Sequence, residues 1–196
     1  MDHPTATLRV ATRDDAPALD ALMKGSIAAL FPAFYDEQQT ASGVRWIAEV
    51  DEQLIDDGTY FAIDADGDPD PVACGGWSRR DKLFRGEASQ EGRARLLDPA
   101  TEPARIRAMF VRGDWARRGL GTRILEACED AARAEGFAEL SLMATLPGEQ
   151  LYRRFGFVPG ERTTITLPDG VILACVPMTR PISRDGSRLE ARRRGT

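Results

Sequence analysis

The stretch that most limits the fold lies in the middle of the chain. Ala104–Val111 (ARIRAMFV) reads as a strand, the segment after it holds Gly113, Gly119 and Gly121, and Leu120–Ala134 reads as a helix. Leu120, Ile124, Leu125, Cys128, Ala131 and Ala132 recur on one face of that helix, so that face must be buried. Gly136 then stops it. A strand fed into a helix through a glycine turn belongs to α/β architecture, with the helix covering a face of the sheet. The same join makes an anion site, because N–H groups at the helix start lack partners and the helix dipole adds positive potential. Gly119 and Gly121 remove side chains where a pyrophosphate would have to approach the backbone. A tight turn with solvated arginines would also account for these residues.

Charge singles out the same segment. Arg105 to Arg123 holds six arginines and one acid, Asp114, for a local +5. Asp36 to Asp70 holds eleven acids and one base, Arg45, for −10, although the whole chain is only −5. The overall sign argues against a general nucleic-acid surface. No apolar run reaches the roughly 18 residues that cross a bilayer, and Met1–Thr5 lacks the basic-then-apolar pattern of a secretory signal. Cys74, Cys128 and Cys175 are far apart and without metal-ligand spacing, so they read as reduced core residues. A cytoplasmic protein is expected, with no metal, nucleic-acid or membrane partner.

The 196 residues suit one domain. Thr7–Thr12 alternates like a half-buried strand, and a helix follows to about Leu30 with Pro17 in its first turn. A second helical region covers Asp36–Asp57, with a break expected at Gly43. Thr59–Asp64 and Pro71–Arg79 read as strands around a turn rich in Asp, Gly and Pro. Asp81–Pro103 is polar, without a clean period and long for a connection. Phe137–Thr145 is a further strand, Glu149–Phe155 a short helix, and Thr163–Leu167 with Val171–Thr179 a closing hairpin. The domain is expected to span residues 1–180, followed by a polar, Arg-rich tail at 181–196.

Two familiar phosphate motifs do not fit. A Walker loop needs Lys-Ser/Thr after its last glycine, where this chain has Thr122-Arg123. A dinucleotide fingerprint needs a third glycine where Ile124 stands. What fits lies downstream, in Tyr152-Arg153-Arg154-Phe155-Gly156-Phe157 after a second apolar strand. With Ala116–Gly121 at the helix start, and with the order of elements, this resembles the GNAT superfamily of N-acetyltransferases over about residues 5 to 180. The resemblance implies a single α/β domain with a mixed, mostly antiparallel central sheet of about seven strands flanked by helices.

It further implies an enzyme that moves the acetyl group of acetyl-coenzyme A to a primary amine by direct attack, without a metal. Phe110 and Val111 would hold pantetheine through the backbone. The amides of Arg117, Arg118, Gly119, Leu120, Gly121 and Thr122 would hold the pyrophosphate. Tyr152 would be the general acid that protonates the departing thiolate, a workable match because a phenol has a pKa near 10 and a thiol somewhat less. Packing of a core aromatic is the other reading of Tyr152. Ala116 stands where the family has Gln or Arg, and Thr145 where an Asn is frequent. An acetyl-coenzyme A sensor without strong catalysis is therefore the alternative function. The acceptor would be a small-molecule or peptide amine, and a homodimer is compatible with the family. No spacing selects a base: Asp81, Glu87, Glu91, Glu102 and Tyr60 stand open, and His3 is expected to have no role. Trp77 and Phe84 read as core packing or as lining of an acceptor pocket. The acid-rich stretch would favour a cationic acceptor, or would simply be solvated surface.

Overall fold

Period-two patterning places two sets of strands in a computed structural model that describes residues 5–81 and 94–182. Strands β1 (Ala6–Val10), β2 (Tyr60–Ala65), β3 (Ala73–Ser78) and β4 (Ala104–Val111) pair antiparallel in sequence order. In the second set, β5 (Glu139–Thr145) pairs antiparallel with the long β8 (Ile172–Pro181). The other edge of β8 takes β6 (Val158–Pro159) and β7 (Thr163–Thr166). Among the described residues the sheet has eight strands in the order β1-β2-β3-β4-β5-β8-β6, with β7 beside β8. The strand beyond the expected seven is β6, whose two residues are too short to show alternation.

Helices cover both faces. On one side lie α1 (Ala16–Leu30), α2 (Glu37–Trp46) and α3 (Glu52–Asp56); on the other lie α4 (Leu120–Ala134) and α5 (Glu149–Phe155). Alternation along β2 feeds both layers, with Tyr60 and Ala62 packed under α1–α3 and Phe61 and Ile63 under α4 and α5. Ile124 and Leu125 of α4 are fully buried, each worth about 1.5–3 kcal/mol relative to exposure. Near the far end of α4, the buried pair of Glu129 with Arg180 on β8 (2.7 Å) ties the helix to the second set of strands.

Gly43 does not break the second helical region. It lies inside α2, where a Cβ would come 2.8 Å from the Phe31 ring, so glycine here permits close helix packing. The break falls at Ile47–Asp51 instead, and Asp51 caps α3 by accepting from the Gln53 amide. At the C-terminal end, β8 includes Pro181 and Ile182 is buried, two residues past the expected boundary. The expected tail from residue 183 and most of the long connection (82–93), with Phe84, Glu87 and Glu91, lie outside the described residues, as does His3.

Candidate active site

The sheet opens where β4 meets β5. The two strands run parallel and pair only at Ala104↔Leu140 and Arg105↔Ser141, after which they part. A bulge helps to turn β4 away. Its register against β3 shifts between Cys74 and Gly76, and Ala108 has φ +50°. That left-handed conformation is strained for a residue with a Cβ. Tyr60 supports it by donating its hydroxyl to the Ala108 carbonyl at 2.9 Å, and Gly75 leaves room for Met109, whose sulfur occupies the space a Cβ would need. The gap holds a cavity of about 120 Å³, with Ala108, Met109 and Phe110 on one wall and Leu142, Met143 and Thr145 on the other. Val111 stands one residue beyond Phe110, at the end of β4.

The turn after β4 leads into α4 through Arg117 (φ +61°) and Gly119 (φ +82°), both left-handed. Gly119 is the N-cap, nothing lies within 4 Å of where its Cβ would be, and the first intrahelical bond runs from the Arg123 amide to its carbonyl. The amides of Leu120, Gly121 and Thr122 therefore have no acceptor inside the helix. Gly121 differs from expectation. Its Cβ direction points to Leu151 on α5, at 2.8 Å, so it permits helix–helix contact and does not clear space for a ligand.

Most of the basic stretch is engaged inside the fold. Arg105 donates to Ser141 and Asp81, Arg112 to Asp68 and Asp114, and Arg123 to the Ala6 carbonyl. Arg107 is buried against Asp51 at 2.8 Å. Arg117 and Arg118 remain exposed at the helix start, Arg118 lying 4.6 Å over the Trp115 ring. The cradle thus carries two exposed arginines, not the local +5 of the linear sequence.

Tyr152 sits in α5 on the cavity wall, edge-on to Phe157 at 5.8 Å. Its hydroxyl has no hydrogen-bond partner among the described residues, and burial pushes the phenol well above its usual value. It is protonated at neutral pH. Gly148 gives the ring its place, since a Cβ there would stand 3.0 Å from it.

The residues considered as bases fare differently. Tyr60 is fully buried, with its proton committed to Ala108 and its pKa raised by desolvation, so it cannot serve. Glu102 is held by Arg95, which lowers it to about 2, and Asp81 bonds Arg95 and Arg105 away from the cavity. Trp77 packs in the core against Phe137. The far end of the cavity is closed instead by Phe31, Ile47, Glu49 and Asp51, which the sequence did not single out. Tyr35 was missed as well. It donates to the Ala174 carbonyl (2.7 Å), accepts from the Leu146 amide (3.0 Å) and packs tilted against Phe31, with ring centroids 4.8 Å apart. That places one hydroxyl between β8 and the turn that leads to Tyr152. Only the capping pattern Asp36-x-x-Gln39 just after Tyr35 hinted that this segment is fixed.

The site is thus a mixed sheet that splits between two parallel strands, beside a glycine-opened helix start. The chain belongs to the acetyltransferase (GNAT) family, whose family model matches residues 25–157. Among solved structures it resembles a GCN5-related N-acetyltransferase from Rhodopseudomonas palustris, with 24% identity, TM-score 0.69, and 92% of this chain and 98% of that chain covered. It also resembles the PaiA N-acetyltransferase of Thermoplasma acidophilum, solved with coenzyme A, at 13% identity and TM-score 0.61 over 90% of this chain and 99% of that one. The ribosomal-protein-S18-alanine N-acetyltransferase of Escherichia coli matches at 20% identity and TM-score 0.54, over 93% and 97%. At these identities the likeness is one of fold. No curated protein sequence matches the chain. Among the described residues, no group of His, Cys, Asp or Glu could hold a metal ion, and no helix is long and apolar enough to cross a membrane.

Proposed function

We propose that this protein transfers the acetyl group of acetyl-coenzyme A to a primary amine, with residues 1–182 as the catalytic domain. The observation that carries the reading is Tyr152 on the wall of the split between β4 and β5, with β4 itself leading through the glycine turn into the start of α4. The groups present suit the cosubstrate. The amides of Arg117, Arg118, Gly119, Leu120, Gly121 and Thr122 would take its pyrophosphate, with the Arg117 and Arg118 side chains adding charge. The backbone of Phe110 and Val111, beside the gap, would take the pantetheine arm. Ala116 removes one side-chain contact to the phosphates and leaves the amides intact.

When bound, acetyl-coenzyme A supplies the acyl group and a thiol leaving group. As the amine nitrogen bonds the carbonyl carbon and the carbon–sulfur bond breaks, the sulfur would leave with that bond's electron pair and take the Tyr152 hydroxyl proton. The nitrogen would release its extra proton to water, and Tyr152 would regain one from water. The phenol is protonated at neutral pH with or without the upward shift that burial causes. The test is calorimetry with acetyl-coenzyme A followed by thiol release over a panel of primary amines. Micromolar-range binding with turnover is expected. Binding without turnover of any amine would favour the sensor alternative, and no binding at millimolar ligand in folded protein would overturn the proposal.

A further inference from the structure

Resting on the reading of Tyr152 as the general acid, we propose that Tyr35 is a positioning residue for it. Its hydroxyl replaces one rung of the ladder between β5 and β8 and so sets where the turn before Tyr152 leaves the sheet. The register carries the argument. β5 and β8 pair from Glu139↔Pro181 to Thr145↔Cys175. Antiparallel pairs alternate between bonded and unbonded. Just before β5, Ala138 accepts from the Ile182 amide at 2.8 Å, so the even-numbered positions are the bonded ones. Pro177 and Pro181, which have no N–H, fall on the other set, opposite Met143 and Glu139. The next bonded rung after Ala144↔Val176 would therefore join Leu146 to Ala174.

Tyr35 stands in that place. The Leu146 amide donates to its hydroxyl at 3.0 Å, and the hydroxyl donates to the Ala174 carbonyl at 2.7 Å. Two bonds in series take the space of one direct bond of about 2.9 Å, so the strands are wedged apart where β5 ends. Freed from the ladder, Leu146–Gly148 make a 3-10 turn, the Glu149 amide donates to the Leu146 carbonyl, and α5 begins. Leu146 thus bonds Tyr35 through its amide and α5 through its carbonyl. Tyr152 lies in the first turn of that helix, its ring against Gly148.

A clamp for β8 would not need this arrangement. Gln39 donates to the Ile172 carbonyl at 2.7 Å and Ser42 to the Asp169 carboxylate at 2.8 Å, so α2 already holds this end of β8. What Tyr35 adds is the link to Leu146. Its ring also packs against Phe31, and Phe31, Thr145 and Cys175 line the same cavity as Tyr152. One tyrosine therefore connects the cavity wall at Phe31 to the helix that carries the acid. Without the hydroxyl, the Leu146 amide and the Ala174 carbonyl face each other across a gap. Closing that gap draws the turn toward β8 and moves Tyr152 with it, and a misplacement of about 1 Å can slow a reaction by up to about 10²-fold.

The test is a double-mutant cycle in the full chain, with acetyl-coenzyme A and whichever primary amine turns over. Tyr35→Phe should lower kcat about tenfold and leave acetyl-coenzyme A affinity within about twofold, because the cradle is on α4. In a Tyr152→Phe background the same change should cost less than about twofold, since no proton is left to misplace. Gln39→Ala, which loosens the same stretch of β8 without reaching Leu146, should lower the melting temperature and leave kcat unchanged. If Tyr35→Phe does not fold, Leu146→Pro deletes the other half of the bond. Thr145, at φ −71° and ψ 155°, accepts a following proline. Leu146→Ala is the reference for lost packing, and kcat should be about tenfold lower in Leu146→Pro than in that reference. An unchanged kcat in Tyr35→Phe, an equal loss in both backgrounds, or an equal loss in Gln39→Ala would overturn the inference and leave the acetyltransferase reading intact. An unchanged kcat in Tyr152→Phe would overturn the acid assignment and this inference with it. Absence of acetyl-coenzyme A binding or of turnover would overturn the acetyltransferase reading as well.

Discussion

The two ends of the cleft present different kinds of group to a ligand. At the α4 end the offered groups are backbone amides, and their arrangement depends on the left-handed Arg117 and Gly119 and on the helix register. At the Phe31–Asp51 end they are side chains carried by loops and helix ends, held by Gly43 behind Phe31 and by the Tyr35 hydroxyl. A backbone site tolerates wide changes of side chain, provided the chain can still adopt its conformation. A side-chain wall changes its ligand with each substitution. On the proposed function, one end would take a constant cosubstrate and the other a variable acceptor.

The sharpest way to break this division is at Tyr152, which lies between the two ends. Tyr152→Phe keeps the ring contact with Phe157 and removes the proton, so kcat should fall by about 10²–10⁴-fold. Affinity for acetyl-coenzyme A and the thermal melt should not move, because the hydroxyl has no hydrogen-bond partner among the described residues. Steady-state kinetics beside calorimetry would decide, and an unchanged kcat with chemistry rate-limiting removes Tyr152 from the mechanism.

Next come the two glycines. Gly119→Ala places a Cβ in open space but forces alanine to φ +82°, a strain of about 1–2 kcal/mol that bears on the cradle amides. Binding of acetyl-coenzyme A should weaken about tenfold, with only a small drop in melting temperature. Gly121→Val should do the reverse, pressing on Leu151 and destabilising the fold by about 1–3 kcal/mol, with affinity affected through α5. If the two variants behaved alike, the separate roles given to these glycines would be wrong.

A smaller effect is expected from Arg118→Ala, which removes one exposed cation and its stacking on Trp115. Affinity should fall a few-fold at low salt and less at high salt, since screening weakens what remains. The smallest tests the scaffold outside the cleft. Arg9 holds Asp15 well below the usual carboxylate range, and Arg80 lowers Asp57. A depressed pKa gives stability that is present above about pH 4 and lost as pH falls through the folded-state value. The melting temperature should therefore drop below about pH 4, and Arg9→Ala should flatten that slope.

What the linear sequence disclosed follows the same division. The strand–turn–helix from Ala104 to Ala134 and the Tyr152–Phe157 pattern were legible because backbone devices need particular residues at fixed spacing. Glu49, Asp51 and Phe31 were not, because a loop that meets the cavity through packing leaves no period to read. Gly43 misled for a related reason: in sequence, a glycine that ends a helix looks the same as one that admits a neighbouring ring. The arginine cluster was overread, since Asp51, Asp68 and Asp81 reach it from distant strands and turns.

The short pairing between β4 and β5 has a mechanical consequence. A ladder of strands resists bending where its rungs are continuous, and here it narrows to Ala104↔Leu140 and Arg105↔Ser141. The sheet is then two stiff plates joined at a crease, with α4 lying on the first plate and strapped to the second by Glu129 and Arg180. The width of the cleft depends on the angle between the plates, and changing that angle breaks few hydrogen bonds. Glu129→Gln, far from any ligand, should loosen the strap, and faster hydrogen exchange at Ile106 and Leu142 than in the parent would register the crease opening.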